Sequence, residues 1–209
     1  LMQLQPLRID HHGWQVVTAL LMTLDLLDRR NERRGGIVAG IAAATWLTIS
    51  LEGLPFTAAV GGLFALRWWR KDRSAGLEAY GWSLAGAALL YFVAMQPASS
   101  WGDVHCDSVS FPYLDGLVVA AFGIGGLCRL KPPAALRLPA LGMVAIAAAA
   151  AIPVAAPTCH SGPFAQLDPL VQNLWYQNVL EGLPVWRQSL NVAMMILGFC
   201  GLGFMANRK

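Results

Sequence analysis

The chain has 209 residues, 56% of them hydrophobic and only 13% charged, against roughly a quarter charged in an ordinary soluble domain. That balance excludes a water-solvated surface over most of the chain, and the apolar residues fall in blocks of about membrane-spanning length. The formal net charge of +3 needs no nucleic-acid partner, because its Lys and Arg residues cluster between those blocks.

In chain order, the first block runs from Trp14 to about Leu27, short for a span, and needs residues 12–28 to reach across a bilayer. Residues 35–69 are almost continuously apolar, and one straight helix of that length would far exceed a hydrocarbon core ~30 Å thick. The sequence therefore predicts two spans, 36–51 and 54–69, hinged at Glu52-Gly53-Leu54-Pro55, where a carboxylate, a glycine and a helix-initiating proline mark a turn. Further spans are expected at 77–95, 113–130, 138–156 and 189–206, making an all-α bundle of seven spans in a single membrane domain, 1–209. Runs of Gly and Ala inside the blocks, among them Gly36, Gly40 and Ala42 to Ala44, suit close helix packing in lipid, although Ala-rich bulk alone accounts for many of them.

Seven spans place Arg29, Arg30, Arg33, Arg34, Arg67, Arg70, Lys71, Arg73, Arg129, Lys131, Arg137, Arg208 and Lys209 on one side, and only Arg8 and Arg187 on the other. The expectation is an amino terminus outside, a carboxyl terminus inside and residence in a bacterial inner membrane. Position 1 is Leu and no cleavable signal peptide is visible, so an upstream membrane segment of the same protein is also expected.

The unusual polar residues then fall outside, in residues 8–15 and in loops 96–112 and 157–188. Asp168-Pro169 is a helix start, with the aspartate as cap, leading into an amphipathic interfacial stretch up to residue 183. Cys106 and Cys159 lie in different outside loops, where a disulfide between them is expected; Cys128 and Cys200 lie near the inner ends of spans as buried small hydrophobes. His11, Trp101, His105, His160, Asp168 and Trp175 are the candidates for contacting a substrate beneath these loops. Trp175, Tyr176 and Trp186 equally suit interfacial anchors. Asp10-His11-His12 offers oxygen and imidazole donors within three residues, enough to begin a divalent-metal site, while the plainer reading makes Asp10 a helix cap. A carboxylate close to hydrocarbon, such as Glu52, is costly unless paired or functional, or else the tip simply reaches water. No Cys-x-x-Cys, phosphate loop, Gly-x-Ser-x-Gly or His-Glu-x-x-His occurs.

Arg8-Ile9-Asp10-His11-His12, outside and running directly into a span, resembles the second acidic motif of the oligosaccharyltransferase catalytic subunits, members of the GT-C class of membrane glycosyltransferases. Beyond it, the basic loop and the Gly/Ala-rich segment with a tryptophan, 35–46, are similar to the segment after that motif in the family; the resemblance covers about the first fifty residues. It implies transfer of a sugar or oligosaccharide from a polyprenyl-phosphate-linked donor at the outer face, with Asp10 and His12 as ligands of a divalent Mn or Mg and His11 between them. Glu52 is the physical candidate for the catalytic carboxylate, although its surroundings do not match the family's later external glutamate. The family's first acidic motif and its soluble Trp-Trp-Asp domain are absent from the chain, so activity of this stretch by itself is not expected. A transporter or flippase segment, or a non-enzymatic membrane assembly subunit, are the competing expectations, the first weakened by nearly apolar mid-span positions.

Overall fold

The computed structural model describes residues 12–27, 31–160, 168–171 and 173–174. Among them the regular structure is entirely helical: α1 (His12–Leu27), α2 (Glu32–Ile49), α3 (Leu54–Lys71), α4 (Ala75–Met95), α5 (Phe111–Leu130), α6 (Ala134–Ala155) and a short α7 (Pro169–Val171), with single 3-10 turns at Leu51–Gly53, Ala98–Ser100 and Pro157–Cys159. Three helices, α4, α5 and α6, are long and apolar enough to cross a membrane. The block at 189–206 lies outside the described residues.

Several helices run past the spans expected from hydropathy. The helices α2, α4 and α6 begin at Glu32, Ala75 and Ala134, and α3 runs on to Lys71, so Arg33, Arg34, Arg70, Lys71 and Arg137 belong to end turns of helices rather than to loops. Hydropathy clips a helix where charge begins, but a long cationic side chain can stay helical and still reach polar surroundings with its head group. Helix α6 also contains Pro139 and Pro153, each lacking the N–H that would bond the carbonyl four residues earlier, of Ala135 and Ala149.

Residue size dictates how the helices sit. The buried positions of α2 are Gly35, Gly36, Ala39, Gly40, Ala42, Ala43, Ala44 and Leu47, nearly all small, and α4 packs along this face more extensively than any other pair among the described elements. A Cβ added at Gly36 would lie 2.3 Å from the Gly76 carbonyl oxygen, and one at Gly40 would lie 2.0 Å from Ser83 Oγ and 2.7 Å from the Tyr80 oxygen. The Ser83 hydroxyl uses this closeness to donate to the Gly36 carbonyl at 3.3 Å, and farther along Thr45 Oγ1 and Tyr91 Oη are hydrogen-bonded at 3.2 Å. The paired residues advance together along both chains, so α2 and α4 run parallel, with α3 returning the chain between them. Glycines repeat the device on α5: a Cβ at Gly116 would lie 2.9 Å from the Ala148 oxygen, and one at Gly123 would lie 2.6 Å from Val144 Cγ1.

The helices thus take the spatial order α1, α2, α4, α5, α6, while α3 touches α1, α4 and α6. Its inward stripe is Thr57, Val60, Phe64 and Trp68, larger residues that hold its axis farther off. Phe64 packs on the Tyr80 ring at 5.4 Å, and the Tyr80 hydroxyl donates to the Thr57 carbonyl at 2.8 Å. Helix α1 buries Gln15, Thr18 and Met22 while leaving Val16, Val17, Leu20, Leu21 and Leu24 exposed. Polar groups inside and leucines outside is the arrangement of a helix whose surroundings are apolar.

Chain reversal gathers the helix ends into two chemically different groups. At one, Arg73 pairs with Glu32 at 3.0 Å, Arg129 with Glu78 at 3.8 Å and Arg137 with Asp72 at 2.7 Å. Arg137 also donates to the Pro132 carbonyl at 3.0 Å and to the Trp68 carbonyl at 3.2 Å, and its guanidinium lies over the Trp68 ring. It thereby joins the start of α6 to the last turn of α3. At the other end lie Gln15, Glu52 and a disulfide-braced loop.

Gly40→Leu is expected to destabilise the protein by about 1–3 kcal/mol through overpacking, read as a lower unfolding temperature in detergent. Gly86→Ala, where an added Cβ meets nothing within 4 Å, should leave that temperature within error or raise it slightly, since alanine is the better helix former.

Candidate functional site

The turn between α2 and α3 is built from side-chain caps. Ser50 is extended, and its hydroxyl accepts from the Glu52 backbone N–H at 3.3 Å, which starts the 3-10 turn; Pro55 then opens α3 in a first-turn position where its missing N–H costs nothing. Gly53 is required by close approach, since a Cβ there would come 2.7 Å from the Trp46 ring. Trp46 in turn packs on Phe56 with ring centroids 5.3 Å apart, so the tip is held rigidly from below.

Glu52 projects from this tip with its side chain exposed, and Gln15, itself buried, donates Nε2–H to Glu52 Oε2 at 3.3 Å. This is the contact that relates the expected site elements to one another. Gln15 lies in the first turn of α1, three residues after His12, and thirty-seven positions before Glu52. The acidic tip and the amino-terminal end of α1 therefore stand side by side. Behind them, Trp46 Nε1 and Thr57 Oγ1 are buried without a hydrogen-bond partner; Trp46 covers Gly53, and Thr57 comes one helical turn after Gly53. Two donors without acceptors are costly in a closed interior.

The second part of this end is the connection from α4 to α5. Its backbone lacks a ladder of its own, so side chains supply the partners that buried peptide groups need. Ser110 Oγ donates to the His105 carbonyl at 2.7 Å and accepts from the His105 N–H at 3.3 Å, the Tyr113 hydroxyl donates to the Cys106 carbonyl, and Trp101 Nε1 donates to the Gln96 carbonyl at 3.1 Å. Cys106 and Cys159 form a disulfide with Cα atoms 5.3 Å apart. Both are buried, in a small apolar cluster with Ala156 and Val104, and they tie this loop to the end of α6.

Of the expected site residues, Asp10, His11 and Trp175 lie outside the described residues, and His12 is the first residue of α1. Trp101 is exposed and its indole closes its own loop. His105 and His160 are both exposed and adjoin the two halves of the disulfide, so the bridge brings their backbones into one cap. Asp168 Oδ1 accepts from the Leu170 N–H at 2.8 Å, which is a cap at the start of α7. Among the described residues no group of three His, Cys, Asp or Glu side chains is placed to hold a metal ion. Cys128 is a free, buried thiol on α5, and Cys200 lies outside the described residues. Sequence reasoning did not single out Gln15, Ser110 or Tyr113. The available signal was a lone glutamine in the first turn of an otherwise apolar span.

No family model, curated protein or solved structure matches the chain.

Replacing both Cys106 and Cys159 by Ser is expected to lower stability by about 2–4 kcal/mol, because the bridge closes a long loop in the unfolded chain. Thermal unfolding of the variant, and of the wild type after full reduction, should show the same loss.

Proposed function

We propose that the protein is a polytopic membrane enzyme of glycosyltransferase type, acting at the end of the bundle that carries Glu52 and the disulfide. The single observation that carries this reading is the Gln15–Glu52 hydrogen bond, which sets an exposed carboxylate within one helical turn of His12 although the two are far apart in sequence. The resemblance of the Asp10-His11-His12 segment to an acidic motif of the GT-C class supplies the reaction class. In this reading Asp10 and His12 hold a divalent cation, whose chemistry when bound is neutralisation of the departing phosphate's charge. Glu52 accepts the proton of the acceptor nucleophile as that nucleophile bonds to the anomeric carbon; the bond from that carbon to the lipid-phosphate oxygen breaks, and its electron pair leaves with the phosphate. The exposed loop residues Trp101, His105 and His160, together with His11, Asp168 and Trp175, contact the donor or acceptor.

Topology belongs to the same proposal. Seven spans, with the amino terminus outside and the carboxyl terminus inside, put the paired and unpaired cations on the cytoplasmic side and the disulfide in an oxidising compartment, as in a bacterial inner membrane. A transport function is less favoured because α4, α5 and α6 present no buried ionisable side chain in mid-span: the buried cation on α6, Arg137, is bonded to the end of α3.

Manganese binding to the detergent-purified protein provides the test. Binding is expected in wild type, lost in Asp10→Ala and His12→Ala, and retained in Glu52→Gln, whose part is proton transfer, with unfolding temperatures unchanged. Absence of manganese and magnesium binding in the wild type, or binding indifferent to Asp10→Ala and His12→Ala, overturns the metal-dependent transferase reading.

A further inference from the structure

Among the described residues, the basic end of the bundle holds more cationic than acidic side chains. Nine Arg and Lys side chains of the described residues lie in the end turns and turns there, against three acidic ones, Glu32, Asp72 and Glu78. Each of those acids is already engaged, by Arg73, Arg137 and Arg129 respectively. Arg33, Arg34, Lys71 and Lys131 are exposed and have no acidic partner among the described residues. Lys71 and Lys131 lie at helix carboxyl ends, where the helix dipole favours a cation. Arg33 and Arg34 occupy the first turn of α2, where the same dipole opposes them. Arg73, bonded to Glu32, brings the α3–α4 turn, with Lys71, to the start of α2, so three of the four cations share one region.

We infer that this end is a binding surface for anionic phospholipid headgroups, with Arg33, Arg34, Lys71 and Lys131 as the headgroup contacts. The position selects the ligand. Arg33, Arg34 and Lys71 lie at the ends of α2 and α3, which pack on the membrane-length α4, and Lys131 ends the membrane-length α5, so their side chains reach the depth at which phosphate groups of a bilayer leaflet lie. A phosphodiester there supplies these four cations with the counter-charge that no described acidic residue gives them, and Arg can engage it in a fork. An acidic protein partner has no comparable reason to lie at headgroup depth.

The full chain in detergent is titrated with dioctanoyl phosphatidylglycerol, dioctanoyl phosphatidylcholine and inorganic phosphate, with the unfolding temperature as readout. Phosphatidylglycerol should raise that temperature by about 5 °C more than phosphatidylcholine does, and about 0.5 M NaCl should abolish the difference. In the combined variant Arg33→Gln, Arg34→Gln, Lys71→Gln, Lys131→Gln the difference should fall by at least half. Equal shifts for the two lipids, a wild-type difference in the variant, or persistence in high salt overturns the inference. A shift with inorganic phosphate equal to that with phosphatidylglycerol also overturns it, assigning the site to a free anion. If the combined variant fails to fold, the lipid comparison and its salt dependence in the wild type decide the matter alone.

Discussion

The near contact of α2 with α4 is the constraint on which the remaining architecture depends. In lipid there is little hydrophobic gain from bringing two apolar helices together, so association depends on how closely backbones and side chains can fit. Gly36 and Gly40 remove the atoms that would otherwise meet the Gly76 and Tyr80 carbonyls and the Ser83 hydroxyl. Because α2 and α4 are parallel neighbours, the helix between them cannot occupy the same layer. Helix α3 is displaced to one side and reaches the others through Phe64, Trp68 and the Tyr80 ring, residues long enough to fill the larger gap.

Displacing α3 has a local consequence at each of its ends. At the start of α3, the turn from α2 comes up against α1, and Gln15 meets Glu52. At its finish, the last turn lies beside the beginning of α6, where Arg137 satisfies the Trp68 and Pro132 carbonyls while facing Asp72. The first contact juxtaposes residues with chemical potential, whereas the second is fully accounted for by bonds within the fold. A guanidinium with three protein partners and an aromatic face beneath it has a structural explanation, whereas Arg33, Arg34, Lys71 and Lys131 have no acidic partner among the described residues.

The two groups of helix ends also solve the problem of exposed chain differently. The basic end uses short turns, with Asp72 and Lys131 in left-handed conformations that stop α3 and α5. The opposite end carries a longer connection whose peptide groups are satisfied by Ser110, Tyr113 and Trp101, and whose position is set by the disulfide to Cys159. That cap keeps His105 and His160 in one exposed region beside the spans, while Glu52 stands on a separate rigid turn at the same end.

Much of this was legible without a structure. Apolar block lengths and charged punctuation located α1 through α6 to within a few residues, and Glu-Gly-Leu-Pro marked the α2–α3 turn, because hydropathy and turn chemistry are local properties of a chain. Cys106 and Cys159 were readable as a pair from their shared side of the expected topology. The parallel pairing of α2 with α4 was not readable, since a glycine shows that a helix can be approached closely but not which helix approaches it. Nor was the Gln15–Glu52 contact, which exists only because α3 is pushed out of the layer and carries its leading turn to α1. Sequence by itself determined the helices, their apolar character and the segregation of charge; tertiary structure alone decided which polar groups meet, because that depends on contacts between residues distant in the chain.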